Sequence, residues 1–248
     1  ITDLNHMTNL KSLSLTMTPS ITIQGIKNLK NIESLELDKI EKIVDINHMT
    51  NLKKLILISS FSIDNDGIKD LTNIEYLKIF GNKKIDNINH MTKIEVLKLS
   101  NSVIDNSGIQ NINPRVLELD NYTEKITDIS HMNNVRELGF NEMYCRTFRK
   151  IDGINPEILK LKAIHSPYNF NHMTNVKELH IIRAVDDSAI NNLNPEILKI
   201  SDIYRKINIE RITNLKKIEI YDICNPESKR YYDSFLKYNR NIISILKY

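Results

Sequence analysis

The stretch ITDLNHMTNLKSLSL, residues 1–15, returns as VDINHMTNLKKLIL from Val44, DNINHMTKIEVLKL from Asp86, TDISHMNNVRELGF from Thr127 and NFNHMTNVKELHI from Asn169. Its His-Met dipeptide stands at His6-Met7, His48-Met49, His90-Met91, His131-Met132 and His172-Met173, so successive steps are 42, 42, 41 and 41 residues. A period this regular marks a chain built from stacked copies of one structural unit.

Between these copies lies a sister motif: GIKNLKNIESLEL from Gly25, GIKDLTNIEYLKI from Gly67, GIQNINPRVLEL from Gly108, GINPEILKL from Gly153 and AINNLNPEILKI from Ala189. Both versions end in an apolar-x-apolar step, the alternation expected of a strand with one face buried. The second apolar residue falls at Leu15, Leu37, Leu57, Ile79, Leu99, Leu119, Phe140, Leu161, Ile181, Ile200 and Ile220, eleven anchors 19 to 22 residues apart. The unit is one short strand per turn of about 20 residues. A unit of that size cannot bury its own apolar residues, so each turn must stack on the next.

The pattern L-x-x-L-x-L formed by Leu10, Leu13 and Leu15, by Leu52, Leu55 and Leu57, and by Ile94, Leu97 and Leu99 resembles the leucine-rich repeat. The approach Ile126-Thr127-Asp128-Ile129 is similar to the short-repeat branch that includes bacterial internalins and a protein-phosphatase regulatory subunit. The resemblance covers residues 1–224. It implies an α/β solenoid of about eleven repeats, a curved right-handed stack with a parallel concave sheet and short helices or 3-10 turns on the convex side. The family places Asn three residues after the last strand anchor. Here Asn82 fits, but Ile40, Ser60, Met143, Ile164, Ile203 and Ile223 occupy equivalent positions, so the asparagine ladder is expected to be mostly absent. Residues 225–248 read as a closing helix, capped by Asn225 with Pro226 in the first turn; Tyr232, Phe235, Leu236, Ile242, Ile243 and Leu246 follow at helical spacing.

The 248 residues include 41 Ile and 31 Asn against 6 Gly and no Trp, a bias typical of AT-rich genomes. No apolar run approaches the roughly 18 residues of a membrane span, and the N-terminus carries no secretory pattern, so a soluble chain is expected. It starts inside the motif, so sequence upstream of Ile1 is expected. Basic and acidic residues nearly balance, 34 against 31, with a pI near 8.6. Nucleic-acid binders concentrate Lys and Arg and exceed a pI of about 9.

Catalytic and metal-binding readings fare poorly. Histidines on every second turn start about 10 Å apart, too far for one zinc ion bound at about 2 Å. The expected arrangement is Met inward, with His exposed or bonded to a turn backbone. Ser62, Asp64, Asp66 and Gly67 imitate half of a calcium loop, but Asn73 stands where a bidentate Glu is required. Asp186-Asp187 has no matching carboxylate or nucleophile. There is no phosphate-binding glycine loop, nucleophile elbow or zinc motif. No cofactor is expected. The two cysteines, Cys145 and Cys224, lie four turns and about 19 Å apart, beyond the about 7 Å that a disulfide spans. They are expected to be free thiols in a reducing, intracellular setting, with Cys145 filling a core slot.

Side chains alternating with the anchors face outward from the sheet. They include seven lysines (54, 78, 98, 160, 162, 199, 217) and seven acids (36, 38, 118, 120, 137, 178, 219), so the face is neutral in sum and a poor surface for phosphates. Lys54, Lys78 and Lys98 occupy consecutive turns beside Ile56, Ile58, Tyr76, Phe80 and Val96. Apolar side chains rimmed by charge are the composition of a protein-binding patch. The expected function is a non-enzymatic scaffold that binds an unidentified protein through these eight residues. A substrate-receptor subunit of a ubiquitin ligase and an internalin-like surface adhesin are the alternatives. The oligomeric state is left open.

Overall fold

The structure, a computed structural model, describes all residues except 1, 121, 124, 143–149, 165–167, 184, 203–205, 224 and 248. The chain forms two compact units, Ile1–Asn134 and Val135–Tyr248.

In the first unit the strands are Ser12–Thr16 (β1), Ser34–Asp38 (β2), Lys54–Ile58 (β3), Tyr76–Phe80 (β4), Val96–Ser100 (β5) and Val116–Asp120 (β6). Each pairs in parallel with the next, and the anchors align without slippage: Leu15 with Leu37, Leu37 with Leu57, Leu57 with Ile79, Ile79 with Leu99, and Leu99 with Leu119. In the second unit, Glu137–Asn141 (β7), Ile158–Lys162 (β8), Glu178–Ile182 (β9), Ile197–Ser201 (β10) and Lys217–Tyr221 (β11) repeat the arrangement. All eleven anchors stand fourth in their five-residue strands, and none is more than 6% exposed. A one-residue slip would turn each anchor to solvent, so the alternation itself sets the register. Among the described residues, connecting segments contain 3-10 turns at Ile23–Gly25, Asp66–Ile68, Ser107–Ile109 and Asp187–Ala189.

Immediately after the strands the backbone turns left-handed, at Met17, Lys39, Ser59, Gly81, Asn101, Glu142, Ala163, Arg183, Asp202 and Asp222. The turn lets the amide continue the ladder: Lys39 donates to the Ile58 carbonyl at 2.8 Å and Ser59 to that of Phe80 at 2.7 Å. None of these residues is β-branched, despite the abundance of Ile, because branching at Cβ disfavours positive φ most strongly. Gly81, at φ 78°, has ordinary room for a Cβ, 3.4 Å from the nearest Ser59 atom. Gly81→Ala is therefore expected to lose about 1 kcal/mol through conformation alone, measurable by urea unfolding.

The His-Met motif is a clamp between turns. In the second copy the Asp45 carboxylate accepts the Asn47 amide at 2.8 Å. Asn47 Nδ2 donates forward to the Asp66 carbonyl at 2.7 Å, and its Oδ1 accepts the Asp70 amide at 2.9 Å. His48 reaches back, its Nε2 donating to the Ile26 carbonyl at 3.0 Å, while Met49 is fully buried. Asn5, Asn89 and Asn171 repeat the forward contacts, and His90, His131 and His172 the backward one. One copy thus ties three consecutive turns, which accounts for two alternating turn types and a period of two units.

The position three residues after the anchor is more polar in function than a search for Asn alone implies. Ser60, Asn82 and Ser102 are buried there in consecutive turns. Asn82 Nδ2 donates to the Ser60 and Ile63 carbonyls at 2.8 and 2.9 Å, and its Oδ1 accepts the Lys84 and Ile85 amides. Ser60 Oγ donates to the Leu37 carbonyl at 3.0 Å. Hydroxyls thus continue a short ladder, whereas Ile40 and Ile164 fill the position with apolar bulk. Met143 and Ile203 lie outside the described residues.

The end of the chain departs from the expected single helix. The helix Pro226–Tyr238 (α1) begins as its sequence implies, with the Asn225 side chain accepting the Glu227 amide at 2.8 Å. It stops at Tyr238, and Ile243–Lys247 (β12) pairs in parallel with β11, Lys217 opposite Ile243. The apolar spacing of Ile242, Ile243 and Leu246 fits either a helix or a strand, and the open edge of β11 supplies backbone partners that a longer helix would leave unmet. Tyr232 is fully buried, and its hydroxyl accepts the Ile207 amide at 3.1 Å; Tyr231 does the same for Ile209. Burial drives the Tyr232 phenol well above its ordinary pKa.

Candidate protein-interaction face

On the outward side of the first unit, strand register turns the alternating residues into rows. Lys54 lies opposite Tyr76, and Tyr76 opposite Val96; Ile56, Lys78 and Lys98 form a second row; Ile58, Phe80 and Ser100 form a third. The eight residues singled out in the sequence occupy eight positions of this three-by-three lattice, with Ser100 the ninth. Neighbouring strands are about 4.8 Å apart, so the lattice is continuous. Phe80 is 43% exposed and Lys54 is exposed, while Ile56, Ile58, Tyr76, Lys78, Val96 and Lys98 are half-buried. Val116, expected to face outward in the next turn, is buried. The alternation rule also passes over Phe61, which follows β3 and is 48% exposed.

The charges of the lattice are held differently. Lys54 Nζ sits 5.2 Å from the centre of the Tyr76 ring, within cation-π range. Lys98 pairs with Glu118 at 2.9 Å. Lys78 has no ion pair among the described residues, and neither do Glu36 and Asp38 on β2. Asp38 Oδ1 is buried without a hydrogen-bond donor.

The outward face of the second unit is occupied by its own ion pairs. Lys160 meets Glu137 at 2.5 Å, Lys217 meets Glu219 at 2.6 Å, and Glu178 receives both Lys199 at 2.6 Å and His180 at 2.5 Å. Burial, the largest influence on Glu178, is outweighed by hydrogen bonds from Lys199 and His180, which leave its carboxyl below the usual range. Burial also holds His180 below its ordinary value.

The other sequence candidates take structural places. The Asp64 carboxylate accepts the Gly67 amide at 3.1 Å, which makes that segment the start of a 3-10 turn. Asp186 caps the turn at Asp187–Ala189 by accepting the Ser188 amide, and Asp187 approaches Arg211 at 4.0 Å. Among the described residues no three His, Cys, Asp or Glu side chains converge as metal ligands. Cys145 and Cys224 lie outside the described residues. No described helix is long and apolar enough to cross a membrane.

No protein-family model matches the chain, and no curated protein matches it in sequence. Similar solved structures include a leucine-rich repeat protein of Leptospira interrogans, 16% identical, with a TM-score of 0.49 over 99% of this chain and 81% of that one. Internalin C2 of Listeria monocytogenes is 16% identical, with a TM-score of 0.35 over 86% of this chain and 82% of that chain. The functional domain of internalin J from the same organism is 14% identical, with a TM-score of 0.40 over 87% and 54%. What decides the fold is the geometry already described: a turn of about 20 residues, one five-residue strand per turn in unshifted parallel register, and L-x-x-L-x-L anchors buried between turns. This chain has the fold of a leucine-rich-repeat solenoid.

Proposed function

We propose that the chain is a non-enzymatic recognition scaffold that binds a protein partner on the outward sheet face of its first unit, the face read from the sequence as concave. The observation that carries this reading is the lattice on β3, β4 and β5, where Ile56, Ile58, Tyr76, Phe80 and Val96 lie together at the surface within a charged surround. Contiguous apolar side chains on an open face mark an interaction surface, whereas isolated ones do not. Fold alone does not assign function, so the weight rests on this cluster. The lack of any catalytic motif in the sequence supports a binding role. An intracellular setting accompanies the proposal, supported by the wide sequence separation of Cys145 and Cys224.

Binders selected on the full chain from a displayed library of random peptides provide the test. Tyr76→Ala and Ile56→Glu are each expected to weaken the selected pool about 30-fold, as for a central contact worth roughly 2 kcal/mol. Both positions are half-buried on an outward face, so the unfolding midpoint should move little. Binding unchanged by both substitutions would place the interaction elsewhere.

A further inference from the structure

We infer that the occupant of this face is a protein segment with a basic and an acidic side chain flanking an apolar one, the base over Glu36 and Asp38 and the acid over Lys78. The inference rests on the protein-binding reading above and adds the chemistry of the partner. It comes from where charge is left unbalanced. On the second unit the face acids Glu137, Glu178 and Glu219 are each met by a lysine of the same face. On the first, Lys98 is met by Glu118, and the Asp120 carboxylate accepts the Ser100 hydroxyl. Glu36, Asp38 and Lys78 stand apart: none has an ion pair or a side-chain hydrogen bond among the described residues, and Lys54, which also lacks both, is held over the Tyr76 ring instead.

Register explains why these three do not satisfy one another. Glu36 lies opposite Ile56, and Ile56 opposite Lys78. Acid and base are therefore two strand spacings apart, about 10 Å, with an apolar side chain between them. Ile58 separates Asp38 from Phe80 in the same way. A partner covering Ile56 and Ile58 would strip water from half-buried charges on both sides, which is costly unless it brings the opposite charges. Complementary charges recover that cost and exclude partners lacking them. A nucleic acid would bring phosphates against Glu36 and Asp38, so the pattern favours a segment bearing both signs, about 10 Å apart.

The peptide pool selected on the full chain tests this directly. Enriched sequences should carry Lys or Arg and Asp or Glu on either side of an apolar residue. Binding should fall at least 10-fold on Lys78→Glu and on Glu36→Lys, with the unfolding midpoint unchanged. Replacing the peptide's acid by Lys should restore binding to Lys78→Glu. Peptides that lose binding on Tyr76→Ala but keep it on Lys78→Glu and Glu36→Lys would overturn the charge assignment while leaving the face intact. An empty selection, or peptides indifferent to Tyr76→Ala, would overturn the protein-binding reading and this inference with it.

Discussion

Gly67→Ala is expected to destabilise the first unit by about 3 kcal/mol, a large cost for one methyl group. A Cβ at Gly67 would lie 2.2 Å from the Val44 carbonyl oxygen, far inside contact distance; the backbone fixes the Cβ position and the oxygen is itself backbone, so neither can rotate away. Gly25 and Gly108 meet the same obstacle, at Thr2 and Asp86. The close approach has a purpose: the Gly67 carbonyl accepts the Ile46 amide at 2.9 Å, joining the two turn types beside the clamp. In the second unit Ala189 takes this place and still accepts the Phe170 amide at 2.8 Å. Glycine at this place is therefore required by the room beside Val44, not by the hydrogen bond itself. Urea unfolding measures the loss, and amide exchange should show it concentrated at Ile46 and Met49, because a stacked repeat couples chiefly to its neighbours. Unfolding indistinguishable from wild type would mean that the turns are not held this closely. The contrast with Gly81→Ala separates a steric requirement from a conformational one.

Asn82→Ala is expected to cost about 4 kcal/mol, and Asn82→Ser appreciably less. The Asn82 side chain is fully buried and serves four backbone groups: it donates to the Ser60 and Ile63 carbonyls and accepts the Lys84 and Ile85 amides. Each buried polar group left without a partner costs about 1–3 kcal/mol, reduced wherever water can enter. Ser60 and Ser102 show that a hydroxyl can serve part of this role, which is why the serine variant should recover some stability. Equal losses for both variants, measured by denaturant unfolding, would show that the side chain acts as filler and not as a bridge.

Both positions show what could be read in advance and what could not. Gly67 and Gly108 are visible as repeated letters, but only the approach of Val44 and Asp86 gives the reason. The asparagine count missed Ser60 and Ser102 because it assigned the ladder to one residue type, whereas a buried carbonyl requires only a donor. At the C-terminus, apolar spacing compatible with a helix was overruled beyond Tyr238 by the unpaired edge of β11. On the proposed binding face, Lys54, Ile56, Ile58, Tyr76, Lys78, Phe80, Val96 and Lys98 alternate with the anchors and fall on neighbouring strands. Alternation gave no hint that Lys98 is neutralised by Glu118 while Lys78 is not.

The sequence by itself determined the repeat, the eleven anchors and the residues that share the outward face. These follow from periodicity: a 20-residue turn that cannot fold alone and an alternation of two that admits one register. Only the tertiary structure decided which hydrogen bonds close the clamp, where the chain adds its twelfth strand, and which charges remain unbalanced. Such properties depend on distances of about 2.5–4 Å between polar atoms on different turns. Residues some 20 positions apart in sequence can form an ion pair or miss one by a single rotamer, and no pattern of letters records the difference.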